Sequence, residues 1–244
     1  MKGLEALDNS VRVHLDDRPA SAWLEQATCL STADLQRSSA YRRPDDRDSY
    51  LAGQVFLRTI LGRYLGCRPQ DVPLIAAPAG VKPRLSGDGA LSFNLSRAGN
   101  YRLLALTRGR EVGVDIETRH DARAERTLSA LPCDLALDNQ ERDAFNRLTD
   151  EEAKDAFLNV WTRKEAVIKT TGLGLGRLPP SSFHVGCATA LPPDASFQLA
   201  APPVGVAGSW QLYVASLPAT RATLAVALRG HPCAMPRLET STLF

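Results

Sequence analysis

Two stretches of this chain combine residue types at a spacing that can do chemistry: "GVDIE", Gly113–Glu117, and "WTRKEAVIKTTGLGLG", Trp161–Gly176. Read as a strand, the first sends Val112, Val114 and Ile116 to one face and Gly113, Asp115 and Glu117 to the other. Two carboxylates on one face, beside a glycine that lets another group come close, suit a hard cation. Magnesium takes one or two carboxylates and fills its other positions with waters and substrate phosphates. The plainer alternative is a strand end whose acids face water, because such tripeptides are common.

On a helical wheel the second stretch and the residues before it gather Phe157, Val160, Trp161, Val167 and Ile168 into an apolar stripe. Lys164 falls near the middle of that stripe, and Glu165 and Lys169 lie together at its edge. Glu165 can supply a third carboxylate or act as a general base, while Lys164 and Lys169 suit phosphate oxygens or a leaving group. The competing reading is an i,i+4 ion pair between Glu165 and Lys169, worth a few tenths of a kcal/mol, with Lys164 snorkelling. The glycines at 172–176 follow a helix and do not connect a strand to one, so they are neither a dinucleotide fingerprint nor a P-loop. Helix termination explains them.

These residues need elements to carry them. Residues 21–41 are helical in patches, and after "YRRPDDRD" a stronger helix, "SYLAGQVFLRTILGRYLG", runs to a stop at Gly66. A loop rich in Pro and Gly leads to three strands, "LSFNLS", "YRLLALT" and "EVGVDIE", the last two joined by a turn short enough for a hairpin. A helical region over 139–171 follows, then strands at "SFHV", "SFQLA", "SWQLYVASL" and "TLAVALR", and a weakly ordered tail. Helix, strands, helix, strands implies an α+β chain of two similar lobes with a boundary near 117–122. The division is residues 1–118, residues 119–230 and a tail over 231–244, and sites often form between such lobes.

Of the 244 residues 44% are hydrophobic and 23% charged, enough for a sizeable core. A net charge of +2 gives no sign of nucleic-acid or membrane-surface binding. Five scattered cysteines without C-x-x-C or zinc spacing point to reduced thiols and a cytoplasmic setting. No signal peptide and no membrane-spanning run is expected.

Together the motifs resemble those of the 4′-phosphopantetheinyl transferase superfamily, and best its longer, surfactin-synthetase-activating branch. "GVDIE" followed by W-x-x-K-E-A-x-x-K-x-x-G-x-G-L is the paired signature, and "VKPRL", "FNLSRAGNY" and "RDSYLAGQVFLR" match further blocks in the right order. The likeness spans about residues 40 to 185. It implies a pseudo-dimer of two α/β lobes, sufficient as a monomer, with coenzyme A in the cleft between them. The implied reaction moves the phosphopantetheine arm to a serine of an acyl- or peptidyl-carrier protein and releases adenosine 3′,5′-bisphosphate. By motif, Asp115, Glu117 and Glu165 would hold Mg²⁺ (or Mn²⁺) against the pyrophosphate. Glu165 would deprotonate the serine, Lys169 would assist the leaving phosphate, and Asp115 completes the catalytic set. Lys164 would face the pyrophosphate, and Lys82, with Arg58, Arg47 and Arg43 behind it, would meet the 3′-phosphate. The alternative is a non-catalytic binder of coenzyme A or of carriers that keeps the fold.

One position departs from the pattern. Family members read S-H-S or S-H-Q after the F-N-x strand, with the histidine on the pyrophosphate, whereas here Ser96 is followed by Arg97. Arginine stays charged and can grip phosphate with two donors, but it removes any role that needs a neutral imidazole.

Overall fold

The computed structural model describes residues 7, 10–75, 81–87, 91–119, 133–187, 195–198, 203, 205–217, 222–230 and 237–240; at 133, 195–198 and 237–240 the description is of backbone. The chain enters as β1 (Val11–Asp16), passes α1 (Ala20–Leu24) and α2 (Thr32–Ser38), and forms the long α3 (Pro44–Leu65). Short β2 (Leu74–Ile75) and β3 (Arg84–Leu85) precede β4 (Leu91–Ala98), β5 (Tyr101–Arg108) and β6 (Glu111–Thr118). Then come α4 (Cys133–Ala136), α5 (Asn139–Phe145), the long α6 (Asp150–Thr171), β7 (Ala195–Gln198), β8 (Trp210–Leu217), β9 (Ala222–Arg229) and β10 (Arg237–Thr240).

Local chemistry accounts for the two long helices. Proline at the first turn of α3, with Asp45 and Asp46 beside it, suits a helix start, and Gly66 at φ 68° ends it. The helical region expected over 139–171 is broken in two. Asp138 and Glu141 form a reciprocal capping box for α5, and Thr149 and Glu152 form a second for α6. Gly172, at φ 69°, closes α6.

Two sheets stack back to back. The first has the order β10-β1-β5-β4 and the second β6-β9-β8-β7. Alternation in β5 sends Leu104 and Leu106 to a core under α3 with Val55, Phe56 and Ile60, and Leu103 and Ala105 toward the second sheet. There they meet Val112, Val114 and Ile116 of β6 and Leu224 and Val226 of β9. The outer face of the second sheet, Leu212, Val214, Ala225 and Ala227, packs under α6 through Val160, Val167 and Ile168. The layers are therefore helix, sheet, sheet, helix.

Three expectations change. β5 and β6 do not form a hairpin: after Gly109 (φ 67°) the chain leaves the first sheet and β6 pairs with β9. "SFHV" is not a strand, because side chains satisfy its backbone. Lys164 donates to Phe183 O, Val185 N donates to Glu141, and Arg163 donates to Gly186 O. The expected loose tail supplies β10, parallel to β1 from Arg12↔Arg237 to Leu15↔Thr240. None of the described helices is long and apolar enough to cross a membrane.

Candidate active site

The site begins where α6 crosses β6. A Cβ built on Gly113 would stand 2.1 Å from the carbonyl oxygen of Ala166 and 2.4 Å from the amide of Thr170. Only glycine lets helix backbone lie this close to a strand, so the group it admits is α6 itself. Two residues on, this contact sets Asp115 against the last turns of the helix. Lys169 Nζ lies 2.5 Å from Asp115 Oδ1 and 3.9 Å from Glu165 Oε2. From β4, Ser96 Oγ donates to Asp115 Oδ1 at 2.7 Å and accepts from Lys169 Nζ at 3.1 Å. Burial alone would push the Lys169 ammonium down, but Asp115, Glu165 and Glu117 outweigh it and hold its pKa above the ordinary lysine value. The expected face of Gly113, Asp115 and Glu117 thus meets the expected edge of Glu165 and Lys169.

The donor set fits a hard divalent cation. Asp115 is buried, and its Oδ2 makes no hydrogen bond, a costly state for a carboxylate oxygen unless a cation reaches it. Asp115, Glu117 and Glu165 offer oxygen donors, the type Mg²⁺ prefers. Among the described residues, only Asp138, Glu141 and His184 bring three metal-capable atoms within 4.8 Å of one another. The Lys164 ammonium already lies 2.6 Å from Glu141 there. The three carboxylates at the crossing stand further apart than that, with Lys169 among them.

On the opposite face of β4, Arg97 runs over α3 at Gly53, where a Cβ would come within 2.6 Å of its Cδ. Its guanidinium carbon lies 5.3 Å from the Tyr50 ring centroid, Arg37 approaches the same ring at 5.8 Å, and Tyr41 stacks on it at 5.2 Å. Burial first, and then the Asp34 charge, raise the Tyr50 pKa, so the phenol stays neutral. These residues line a cavity of about 270 Å³, whose other wall is apolar: Leu57, Leu74, Ile75, Val81, Pro83 and Leu95. Cations and aromatics facing aliphatic side chains suit a ligand with a heterocycle and phosphates.

Comparison with known proteins now bears on this site. The model of the 4′-phosphopantetheinyl transferase superfamily matches residues 111–227, which carry both β6 and α6. The 4′-phosphopantetheinyl transferase HetI of Nostoc sp. is 34% identical over 165 residues, 66% of this chain and 68% of HetI. The chain belongs to the 4′-phosphopantetheinyl transferase superfamily. The transferase AcpT of Salmonella typhimurium is 32% identical over 61% of this chain and 72% of its own. The human L-aminoadipate-semialdehyde dehydrogenase-phosphopantetheinyl transferase is 26% identical, and the match covers 63% of this chain and 52% of the human one. The chain spans about half the length of such animal relatives.

For a phosphopantetheinyl transferase, several motif residues stand where the motifs did not put them. Lys164 lies in the core at 0% exposure, bound to Glu141 at 2.6 Å, Pro180 O at 2.6 Å and Phe183 O at 2.7 Å. Burial pulls its pKa down, and Glu141 opposes the shift. Its place on the apolar stripe is met by a buried counter-charge, so it does not face the Asp115 cluster. Lys82, flanked by the cavity residues Val81 and Pro83, turns its ammonium to Val112 O, Ser92 and Glu111. Arg58 does line the cavity, but two of its nitrogens hold Asp34 and a third reaches Val72 O. Arg43, the N-cap of α3, and Arg47, paired with Asp48, are exposed and outside the cavity lining. Sequence reading missed Arg37 and Tyr41, for which no motif gave a signal, and Tyr50, which lies within the block "RDSYLAGQVFLR" but was not singled out there. It also missed Glu141, whose place in the capping box D-x-x-E was legible while its lysine partner was not.

Proposed function

We propose that this protein transfers the 4′-phosphopantetheine arm of coenzyme A to a serine hydroxyl of an acyl- or peptidyl-carrier protein, releasing adenosine 3′,5′-bisphosphate. The observation that carries the reading is the buried, partnerless Oδ2 of Asp115 in a cluster with Glu165 and Lys169, one strand residue away from a cation-lined cavity. The superfamily membership supports it. So does the printed activity of the relatives, which are themselves named as phosphopantetheinyl transferases. Within the superfamily we keep the surfactin-synthetase-activating type, a pseudo-dimer of two lobes with coenzyme A between them, but the boundary moves from residue 118 back to Gly109, because β6 belongs to the second sheet. Two stacked sheets, each with a 22-residue helix on its outer face, are consistent with that plan.

Phosphoryl-type transfer asks for charge neutralisation, alignment and a base more than for covalent help. Asp115 and Glu117, with Glu165, would hold Mg²⁺, which supplies charge neutralisation at the pyrophosphate. Glu165, half-buried at the edge of the cluster, accepts the serine proton as the serine oxygen bonds to the pantetheine-side phosphorus. The bond from that phosphorus to the bridging oxygen breaks, and the oxygen leaves with the adenosine bisphosphate. Lys169, held as an ammonium by its carboxylates, moves toward that oxygen as its charge develops. Arg97 and Arg37 hold phosphate, and the aliphatic wall takes the base.

Intact-mass analysis of an apo carrier protein incubated with this protein, coenzyme A and Mg²⁺ tests the reading. A gain of one phosphopantetheine mass, absent with EDTA and with Glu165→Gln, is expected. No gain on either carrier type while coenzyme A still binds would overturn it in favour of a non-catalytic binder.

A further inference from the structure

β6 carries the candidate metal carboxylates, yet it is the edge strand of its sheet. β9 pairs along one side from Glu111↔Arg229 to Thr118↔Ala222. The N–H and C=O groups of alternate residues point the other way, toward β4, and no backbone ladder joins β4 to β6. Buried backbone groups in that position need partners. Two side chains from the first half of the chain supply them. Asn94 Oδ1 accepts the Val114 N–H at 2.8 Å, and Lys82 Nζ donates to Val112 O at 2.7 Å. Asn94 is 6% exposed and shares its face of β4 with Ser96, the residue that grips Asp115.

We propose that Asn94 is a positioning residue for Asp115: by holding the Val114 amide it replaces the missing neighbour strand and fixes where the adjacent carboxylate stands. Lys82 makes the same kind of contact one step earlier on β6, which gives the lysine a task other than phosphate binding. Asp115 is bonded to Lys169 at 2.5 Å and to Ser96 at 2.7 Å. Spacings that short tolerate little drift of the strand, so a loosened Val114 misplaces Oδ2. The inference rests on the reading of Asp115 as a metal ligand.

The test uses the full chain with Asn94→Leu and Asn94→Ala, which lose the acceptor, Asn94→Asp, which keeps it, and Asp115→Asn. Amide hydrogen exchange is followed at Val114 and along β8 and β9, and Mn²⁺ affinity is measured by calorimetry without coenzyme A. Loss of the acceptor should speed Val114 exchange about tenfold with β8 and β9 unchanged, and weaken Mn²⁺ binding about tenfold. Asn94→Asp should restore the protection. Asn94→Ala adds no bulk and serves if the leucine variant does not fold. Unchanged Val114 protection, lost protection with intact Mn²⁺ affinity, or faster exchange at every amide alike overturns the positioning role. Wild-type Mn²⁺ binding no tighter than that of Asp115→Asn sinks the metal reading itself, whatever Asn94 does.

Discussion

Lys164→Met separates a core lysine from a phosphate ligand. In the wild type the ammonium is fully buried, with Glu141 and two carbonyls within 2.7 Å. Removing it leaves Glu141, itself at 0% exposure, with the amides of Val185 and Asp138 as its close donors and no lysine counter-charge. Stranding one partner of a buried pair costs about 3–5 kcal/mol. For a chain of this size that corresponds to a melting point lower by roughly 6–20 °C. Thermal melts followed by circular dichroism, with a urea titration alongside, read this directly. Lys164→Met/Glu141→Gln should recover part of the loss, because glutamine removes the stranded charge while its single oxygen still accepts from one of the two amides. Coenzyme A affinity below the melting range should stay near wild type. A variant that melts within about 2 °C of wild type, well under the expected cost, while its KM for coenzyme A rises tenfold or more would refute the core assignment and restore the ligand role.

Gly113→Ala should be worse than its single methyl suggests. Its Cβ would fall 2.1 Å from a helix carbonyl, so α6 and β6 must part, at about 1–3 kcal/mol, and activity should fall further as Asp115 leaves Lys169; equal activity and stability would contradict the close crossing. Arg97→Ala should raise the KM for coenzyme A about tenfold or more with kcat less affected, as steady-state kinetics would show. The wild-type pH–rate profile should carry no acid limb that Arg97→Ala removes, since arginine does not titrate there. Against burial, Asp115, Glu165 and Glu117 hold the Lys169 pKa above the ordinary lysine value, so a descending limb near neutrality abolished by Lys169→Arg would contradict the assignment.

What was legible in the sequence was periodicity. Alternation in 111–118 put Asp115 and Glu117 on the face that meets α6, and the helical wheel put Glu165 and Lys169 at its edge. A wheel says which residues share a face, not what that face packs against. Lys164 therefore read as a waiting ligand until Glu141, on another helix, came to lie against it. The turn at Gly109 has the length of a hairpin turn, and only the pairing of β6 with a strand more than a hundred residues later shows that the chain changes sheets. Lys82 and Arg58 sit in recognisable motifs, but their partners Val112 and Asp34 come from other elements, and no local pattern predicts them.

The parallel pairing of β10 with β1 bears on the order in which the protein assembles. Residues 11–16 leave the ribosome more than two hundred residues ahead of their outer neighbour, residues 237–240. While the intervening residues are being made, that side of β1 is an open template for any extended chain nearby, including another nascent copy. The strand reads Val-Arg-Val-His-Leu-Asp, so every second residue on it is polar or charged. That alternation blunts the exposed border during the interval before residues 237–240 arrive to close it.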